Sequence, residues 1–190
     1  MKDPLRLGVI TILLTVIIGL TACGQSAAAT QAQAAGIAPQ QSAILMQATD
    51  VADGVLAELK TKGLPVGDSF TFSVQTDPNH LLGTPGQYDA KVSFQDTRVP
   101  VHVHGAGITV IDGGTIEVFG NLVDASQTRQ YMDSLNQDNA LFFNEYDSWH
   151  GVVLLRISTQ LDPAQAAQYK SAFDATPVIT AITPTGPLEH

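Results

Sequence analysis

The chain has 190 residues, of which 18 are acidic and 9 are basic, so its formal net charge is −9. This acidic balance argues against a nucleic-acid-binding protein and against a domain that lies flat on anionic lipid, because both need basic patches. The length fits one domain of ordinary size with an additional segment.

The first 22 residues have the pattern of a bacterial secretion signal. A basic start precedes an apolar stretch, residues 7–20, which is shorter than the roughly 20 apolar residues of a membrane-spanning helix. Two small residues then precede Cys23, the only cysteine of the chain. This end resembles the lipobox of bacterial lipoproteins, and the resemblance implies cleavage before Cys23 and a covalent lipid on its thiol. A retained transmembrane anchor is the alternative.

The remaining chain is predicted to divide into a tether, a domain and a tail. Residues 23–41 follow the signal and are rich in Ala and Gln without any charge, which predicts a flexible tether that begins at the lipidated cysteine. Residues 42–176 are the predicted domain. Residues 177–190 are expected to be a loose tail, and the last three resemble the junction to a histidine tag.

The first half of the domain shows a change from helical to strand periodicity. Apolar residues at helical spacing predict a helix over residues 42–63, with Ser at the N-cap and Gly at the C-terminal end. Strict alternation predicts half-buried strands over residues 69–75 and 88–95, each with one covered face. Lys91 and Ser93 fall on the expected solvent face of the second strand.

The second half is predicted to contain strands and two more helices. Residues 99–103 indicate a weaker edge strand, and residues 108–119 indicate a hairpin that turns at Asp-Gly-Gly. Asp124 is the expected cap of a second helix, and residues 152–157 are the expected central strand. Asp162 is the expected cap of a third helix, followed by the Pro and Gln of a capping box.

This order of elements predicts an α+β fold. The expected architecture is a mainly antiparallel sheet with helices packed on one face. The second half is also compatible with a ferredoxin-like arrangement.

The loop between the two alternating strands is the strongest candidate for a binding site. Loops on a rigid sheet often bind ligands, and this one combines polar side chains with glycines and prolines. The alternative is a structural loop, in which the first aspartate caps a helical turn and Pro85-Gly86 forms a tight turn. The candidate ligand-binding or partner-binding residues are Asp77, Asn79, His80, Gly83, Gly86 and Tyr88.

Two histidines form a candidate metal site. His102 and His104 would project from the same face of a strand and could share a metal ion. Zinc sites need three or four protein ligands, and the spacing of the sequence identifies no further ligand. The alternative is the solvent face of an edge strand.

The segment from Glu145 to His150 combines an acid, a hydroxyl and an imidazole. Acid–base catalysis needs such groups in a specific geometry, which nearness in sequence does not supply. A hydrolase would need a cleft that perturbs the pKa of Glu145 or His150. The alternative is the entrance of a strand whose aromatic residues pack at the sheet edge.

Three segments together resemble a family of small, uncharacterised bacterial lipoproteins. They are residues 77–88 (DPNHLLGTPGQY), residues 112–119 (DGGTIEVF) and the interrupted segment within residues 145–166. The resemblance implies a surface lipoprotein and no known activity. Thr84 stands where the family resemblance leads us to expect an arginine.

The sequence therefore predicts a lipoprotein anchored through Cys23 on the extracytoplasmic face of the cell membrane. We expect a non-catalytic module that binds another component of the cell envelope, such as a protein, because motifs for nucleotides, hydrolysis and zinc proteolysis are missing from the sequence. The alternative is an extracytoplasmic metal-binding protein that uses His102 and His104. No cofactor is expected besides the lipid, and no nucleic-acid partner is expected.

Overall fold

The computed structural model describes residues 26–100, 107–138 and 145–183, with the backbone alone for residues 26–39 and 136–138. The chain divides into two units, Met1–Gly36 and Ile37–His190. In the described ranges, no helix is both long enough and apolar enough to cross a membrane. The elements are α1 (Ser26–Thr61), β1 (Val66–Thr71), β2 (Tyr88–Asp96), β3 (Gly113–Phe119), α2 (Leu122–Asp138), β4 (Glu145–His150), β5 (Val153–Ser158) and α3 (Pro163–Asp174).

The five strands form one antiparallel sheet in the order β1-β2-β3-β5-β4. This confirms the predicted α+β fold. Strand β5 pairs with both β3 and β4, so β3 and β4 are parallel to each other and β3-α2-β4 is a split β-α-β unit. The other neighbour of β3 is β2, which precedes it in the chain.

Helix α1 begins at Ser26 and not at the predicted position near Ser42. The backbone of residues 26–41, predicted to be a flexible tether, is therefore helical in the structure. Alanine and glutamine are among the stronger helix formers, which accounts for the longer helix. The part of α1 in the second unit buries Ala48, Ala52 and Leu59 completely.

The apolar face of the sheet carries the hydrophobic core. Its buried residues include Val92 and Phe94 of β2, which share this face with apolar residues of β3 and β5 through the strand register. Helix α3 packs here, because the Tyr169 ring lies 5.6 Å from Phe94 and the Phe173 ring lies 5.7 Å from His150.

Buried Asp96 connects α3 to the sheet. The Tyr169 hydroxyl donates a 2.7 Å hydrogen bond to Asp96, and the Arg98 guanidinium forms an ion pair of the same length with it. Burial alone would raise the pKa of Asp96, but these donors and the Arg98 charge hold it below its usual value.

The predicted hairpin at residues 108–119 is wrong. Residues Val110–Asp112 form a short 3-10 turn, and Gly113 and Gly114 belong to β3. A Cβ on Gly114 would lie 2.5 Å from the Phe94 ring and 2.8 Å from the carbonyl oxygen of Arg156. The two glycines therefore allow close approach between strands instead of forming a turn.

The ends of three other elements also test the predictions. Strand β1 ends at Thr71, and Val74 is exposed, so the strand predicted over residues 69–75 lies several residues too late. Helix α2 is capped by Asn121, whose side chain accepts hydrogen bonds from the backbone N–H groups of Val123 and Asp124. The predicted Asp162 cap of α3 is confirmed. Of the edge strand predicted over 99–103, only residues 99 and 100 are described, and they follow a turn.

Candidate functional site

The second face of the sheet is lined by charged and polar side chains that are largely buried. Lys91 of β2 lies opposite Glu117 of β3, and Ser93 lies opposite Thr115 in the same register. Arg156 of β5 lies opposite Thr115 of β3 on one side and opposite Asp147 of β4 on the other. We call this set, with Glu145, the charged face: Lys91, Ser93, Thr115, Glu117, Glu145, Asp147 and Arg156.

The prediction that Lys91 and Ser93 face solvent is wrong. Lys91 is 7% exposed and Ser93 is 1% exposed. The Ser93 and Thr115 hydroxyls form a hydrogen bond across the two strands, with 2.8 Å between their oxygen atoms. Lys91 lies over two aromatic rings, 5.1 Å from the centroid of Phe72 and 5.3 Å from that of Tyr88.

Arg156 is the centre of the charged face. Its guanidinium forms ion pairs with Asp147 at 3.4 Å, with Glu117 at 3.8 Å, and with Glu145. One delocalised cation therefore neutralises part of the charge of three carboxylates, which its several N–H donors make feasible. Helix α2 adds Asp133, whose negative charge raises the pKa of Asp147 through repulsion between like charges.

The three carboxyl groups around Arg156 hold protons more tightly than carboxyl groups in water. Burial raises the pKa of Glu117, Glu145 and Asp147, although the Arg156 charge acts in the opposite direction on each. The neighbouring carboxylates also raise the pKa of Glu117 and Glu145 through repulsion between like charges.

Glu117 is the least tightly paired of these groups. It is 4% exposed, and its ion pair with Arg156, at 3.8 Å, is longer than a hydrogen bond. Within the described part of the chain, no donor forms a hydrogen bond with this carboxyl group. Buried polar groups are nearly always hydrogen-bonded, so Glu117 differs from the usual structural carboxylate.

A pocket of about 280 Å³ opens on the charged face. Lys91, Glu117, Glu145 and Arg156 supply its charged wall, and the Phe72 ring supplies an apolar wall. The remaining lining residues either carry a hydroxyl group or lie outside the strands: Pro78, Asn79, Ser93, Thr109, Val110 and Thr115.

Asp77, the first residue of the predicted binding loop, is completely buried and organises the loop from inside. Its carboxylate accepts hydrogen bonds from the Leu81 and Leu82 N–H groups at 2.9 and 3.1 Å. It also accepts a hydrogen bond from the Tyr88 hydroxyl at 2.8 Å and forms an ion pair with Lys91 at 3.2 Å. These contacts are those of a structural residue, as in the alternative reading of the loop.

Three of the other loop candidates, Asn79, Gly83 and Gly86, line two separate cavities. Asn79 is exposed at the rim of the pocket on the charged face, and its amide donates to the Tyr88 hydroxyl at 3.4 Å. His80 is exposed, with a φ of 55°. Gly83 and Gly86 instead line a separate cavity of about 430 Å³ beside Gln41 and the half-buried Asp89.

Strand alternation separates the groups of the segment Glu145–His150. Glu145 and Asp147 lie on the charged face, while Ser148 and His150 lie on the apolar face. Glu145 meets the condition set for a hydrolase, because it lines a pocket and burial raises its pKa. The imidazole of His150 packs against Phe173 on the other face, so acid, hydroxyl and imidazole do not meet.

Two predicted sites lie outside the described residues. These are the lipid attachment site Cys23 and the candidate metal ligands His102 and His104. In the ranges that the structure describes, no group of three or more His, Cys, Asp or Glu side chains could hold a metal ion.

The charged face is not among the sites predicted from the sequence. The signal for it is that Lys91, Glu117 and Arg156 each interrupt an apolar or alternating strand with a charge, which indicates a charged face on the sheet. A Lys in β2, a Glu in β3 and an Arg in β5 can neutralise one another's charges only when the three side chains share a face.

Neither a protein-family model nor a curated protein nor a solved structure matches the chain.

Proposed function

We propose that this protein is an extracytoplasmic lipoprotein, anchored to the cell membrane through Cys23, whose folded unit is a non-catalytic binding module of the cell envelope. The basic start, the short apolar stretch and the single cysteine support the anchor. The resemblance to a family of small bacterial lipoproteins supports the same location.

The pocket on the charged face is the proposed binding site. The observation that carries this assignment is Glu117, a buried carboxyl group that lines the pocket and receives no hydrogen bond from the described residues. Binding fits this geometry better than catalysis does, because Arg156 already engages both Glu117 and Glu145. Pairs of catalytic carboxyl groups typically have environments that push their pKa values apart, whereas burial raises the pKa of both Glu117 and Glu145.

The metal-binding alternative rests on His102 and His104 and stays a prediction. Both residues lie outside the described ranges, whereas the residues that line the proposed binding pocket are described. We therefore favour the binding module.

Replacing Cys23 by alanine should abolish lipid attachment and the membrane retention of the processed form. The reason is that the thiol is the expected acceptor of the lipid, and stable anchoring requires more than one acyl chain. Fractionation of cells, with detection of the signal-peptide-cleaved form by electrophoresis, measures both effects. Ser26→Ala, which leaves the cysteine in place, is the matched control. Retention and migration of Cys23→Ala like those of the wild-type protein would show that the lipid anchor is wrong.

A further inference from the structure

We infer that the pocket on the charged face binds the ammonium group of a small organic cation, with the Glu117 carboxylate as its main acceptor. This inference rests on the proposed function, because it names the class of ligand for the same pocket. It follows from the charge balance of the face, the state of Glu117 and the size of the pocket.

The charge balance favours a cation. Among the described residues, four carboxyl groups take part in the ion pairs of this region, and Lys91 and Arg156 oppose them. Two of the four, Glu117 and Glu145, line the pocket itself. Lys91 is paired with Asp77, and Arg156 is shared by the three others. An anionic ligand would therefore compete with carboxylates that are already in place, whereas a cation would relieve their mutual repulsion.

Glu117 supplies the point of attachment. A buried carboxylate without a hydrogen-bond donor is costly, and a bound ammonium would provide a charge-assisted hydrogen bond at this position. An ammonium group has three donors. The Ser93 and Thr115 hydroxyls, which line the same pocket, have lone pairs that could accept the others.

The pocket is suited to a small ligand. Its volume of about 280 Å³ lies just below the range of ligand pockets, which is about 300–1,000 Å³. The Phe72 ring offers an apolar wall against which a short methylene chain could pack. A primary alkylammonium ion of four carbons combines these properties.

The experiment uses three probes of matched size: n-butylammonium, 1-butanol and butyrate. The full ¹⁵N-labelled chain in detergent is titrated at pH 7, and the backbone amide signals of Thr115, Glu117 and Arg156 report binding. We expect saturable shifts with n-butylammonium. The affinities for the neutral and anionic probes should be weaker by about tenfold or more. Glu117→Gln, which keeps the shape of the side chain, should weaken n-butylammonium binding about tenfold or more.

The controls separate the ligand class from the pocket. Glu58→Gln changes a carboxylate in an exposed pair with Lys62 and should leave the affinity unchanged. Glu145→Gln should weaken binding too, and it serves as the second variant if Glu117→Gln does not give a folded spectrum. Unchanged affinity in a folded Glu117→Gln or, failing that, Glu145→Gln protein would overturn the inference.

Two further outcomes distinguish the inference from the proposed function. Tighter binding of 1-butanol or butyrate at the same amides would refute the cationic ligand and leave the pocket as the binding site. No shift at these amides with any of the three probes would refute the ammonium site, and would also remove the support for this pocket in the proposed function. The lipid anchor is judged separately by the Cys23 variant.

Discussion

Asp77→Ala should lower the free energy of unfolding by about 3–5 kcal/mol at pH 7, because it removes one partner of a buried ion pair. The side chain of Asp77 is completely buried, and that of Lys91 is 9% exposed, so the ammonium would be left without its counter-charge. The Leu81 and Leu82 N–H groups and the Tyr88 hydroxyl would lose their acceptor as well. Urea denaturation followed by circular dichroism measures the change.

Two variants test the cause of this loss. Asp68→Ala removes an exposed aspartate of β1 and should change the free energy of unfolding by less than about 0.5 kcal/mol. Asp77→Asn keeps an acceptor for the backbone but removes the charge, so its effect should be smaller than that of Asp77→Ala. A loss below about 1 kcal/mol for Asp77→Ala would contradict a buried structural role for this carboxylate.

Arg156→Met should destabilise the protein by about 3–5 kcal/mol at pH 7 and by clearly less at pH 5. Methionine preserves part of the apolar volume of the arginine but leaves Glu117, Glu145 and Asp147 without their shared cation. Urea denaturation at both pH values measures the difference. Arg129→Met, at an exposed position of α2, is the matched control and should have little effect at either pH.

The sign of this pH dependence follows from the direction of the pKa shifts. Burial raises the pKa of Glu117, Glu145 and Asp147 above the ordinary values of 4.5 and 3.8. The folded protein therefore binds more protons than the unfolded chain between the ordinary and the raised pKa values, and these groups reduce stability as the pH rises through that interval. Without Arg156 their pKa values rise further, so protonation at pH 5 removes more of the destabilisation.

The lowered pKa values of Asp77 and Asp96 act in the opposite direction, but at more acidic pH. Burial raises both, and the hydrogen bonds and neighbouring cations outweigh it, so both groups stay ionised at pH 5. Their contribution to stability is lost only as the pH falls below the ordinary value of 3.8. An equal loss for Arg156→Met at pH 7 and pH 5 would refute the assignment of the destabilisation to the three carboxylates.

Some elements of the fold were predictable because their causes lie within a few residues. Asp162 and Gln165 exchange hydrogen bonds of 2.8 and 2.9 Å around Pro163, as the capping box predicts. The alternation in residues 88–95 likewise places Val92 and Phe94 together on the apolar face.

Other elements were not predictable because distant residues decide them. Gly113 and Gly114 have the local composition of a turn, but both lie inside β3 and pack against β2. Asp124 has the composition of a helix cap, but Asn121 takes that position because the preceding strand ends at Phe119. Local propensity is weak compared with strand pairing, so the tertiary contacts prevail.

The sequence by itself determined the strand and helix periodicities, the cap of α3 and the alternation that separates the two faces of β2. Only the tertiary structure decided that the polar face is buried too, and that Lys91, Glu117 and Arg156 meet there. Alternation specifies which side chains of one strand share a face. Strand order specifies which strands are neighbours, and register specifies which of their residues lie opposite each other. The charged face exists because β2, β3 and β5, which are far apart in the chain, are adjacent in the sheet.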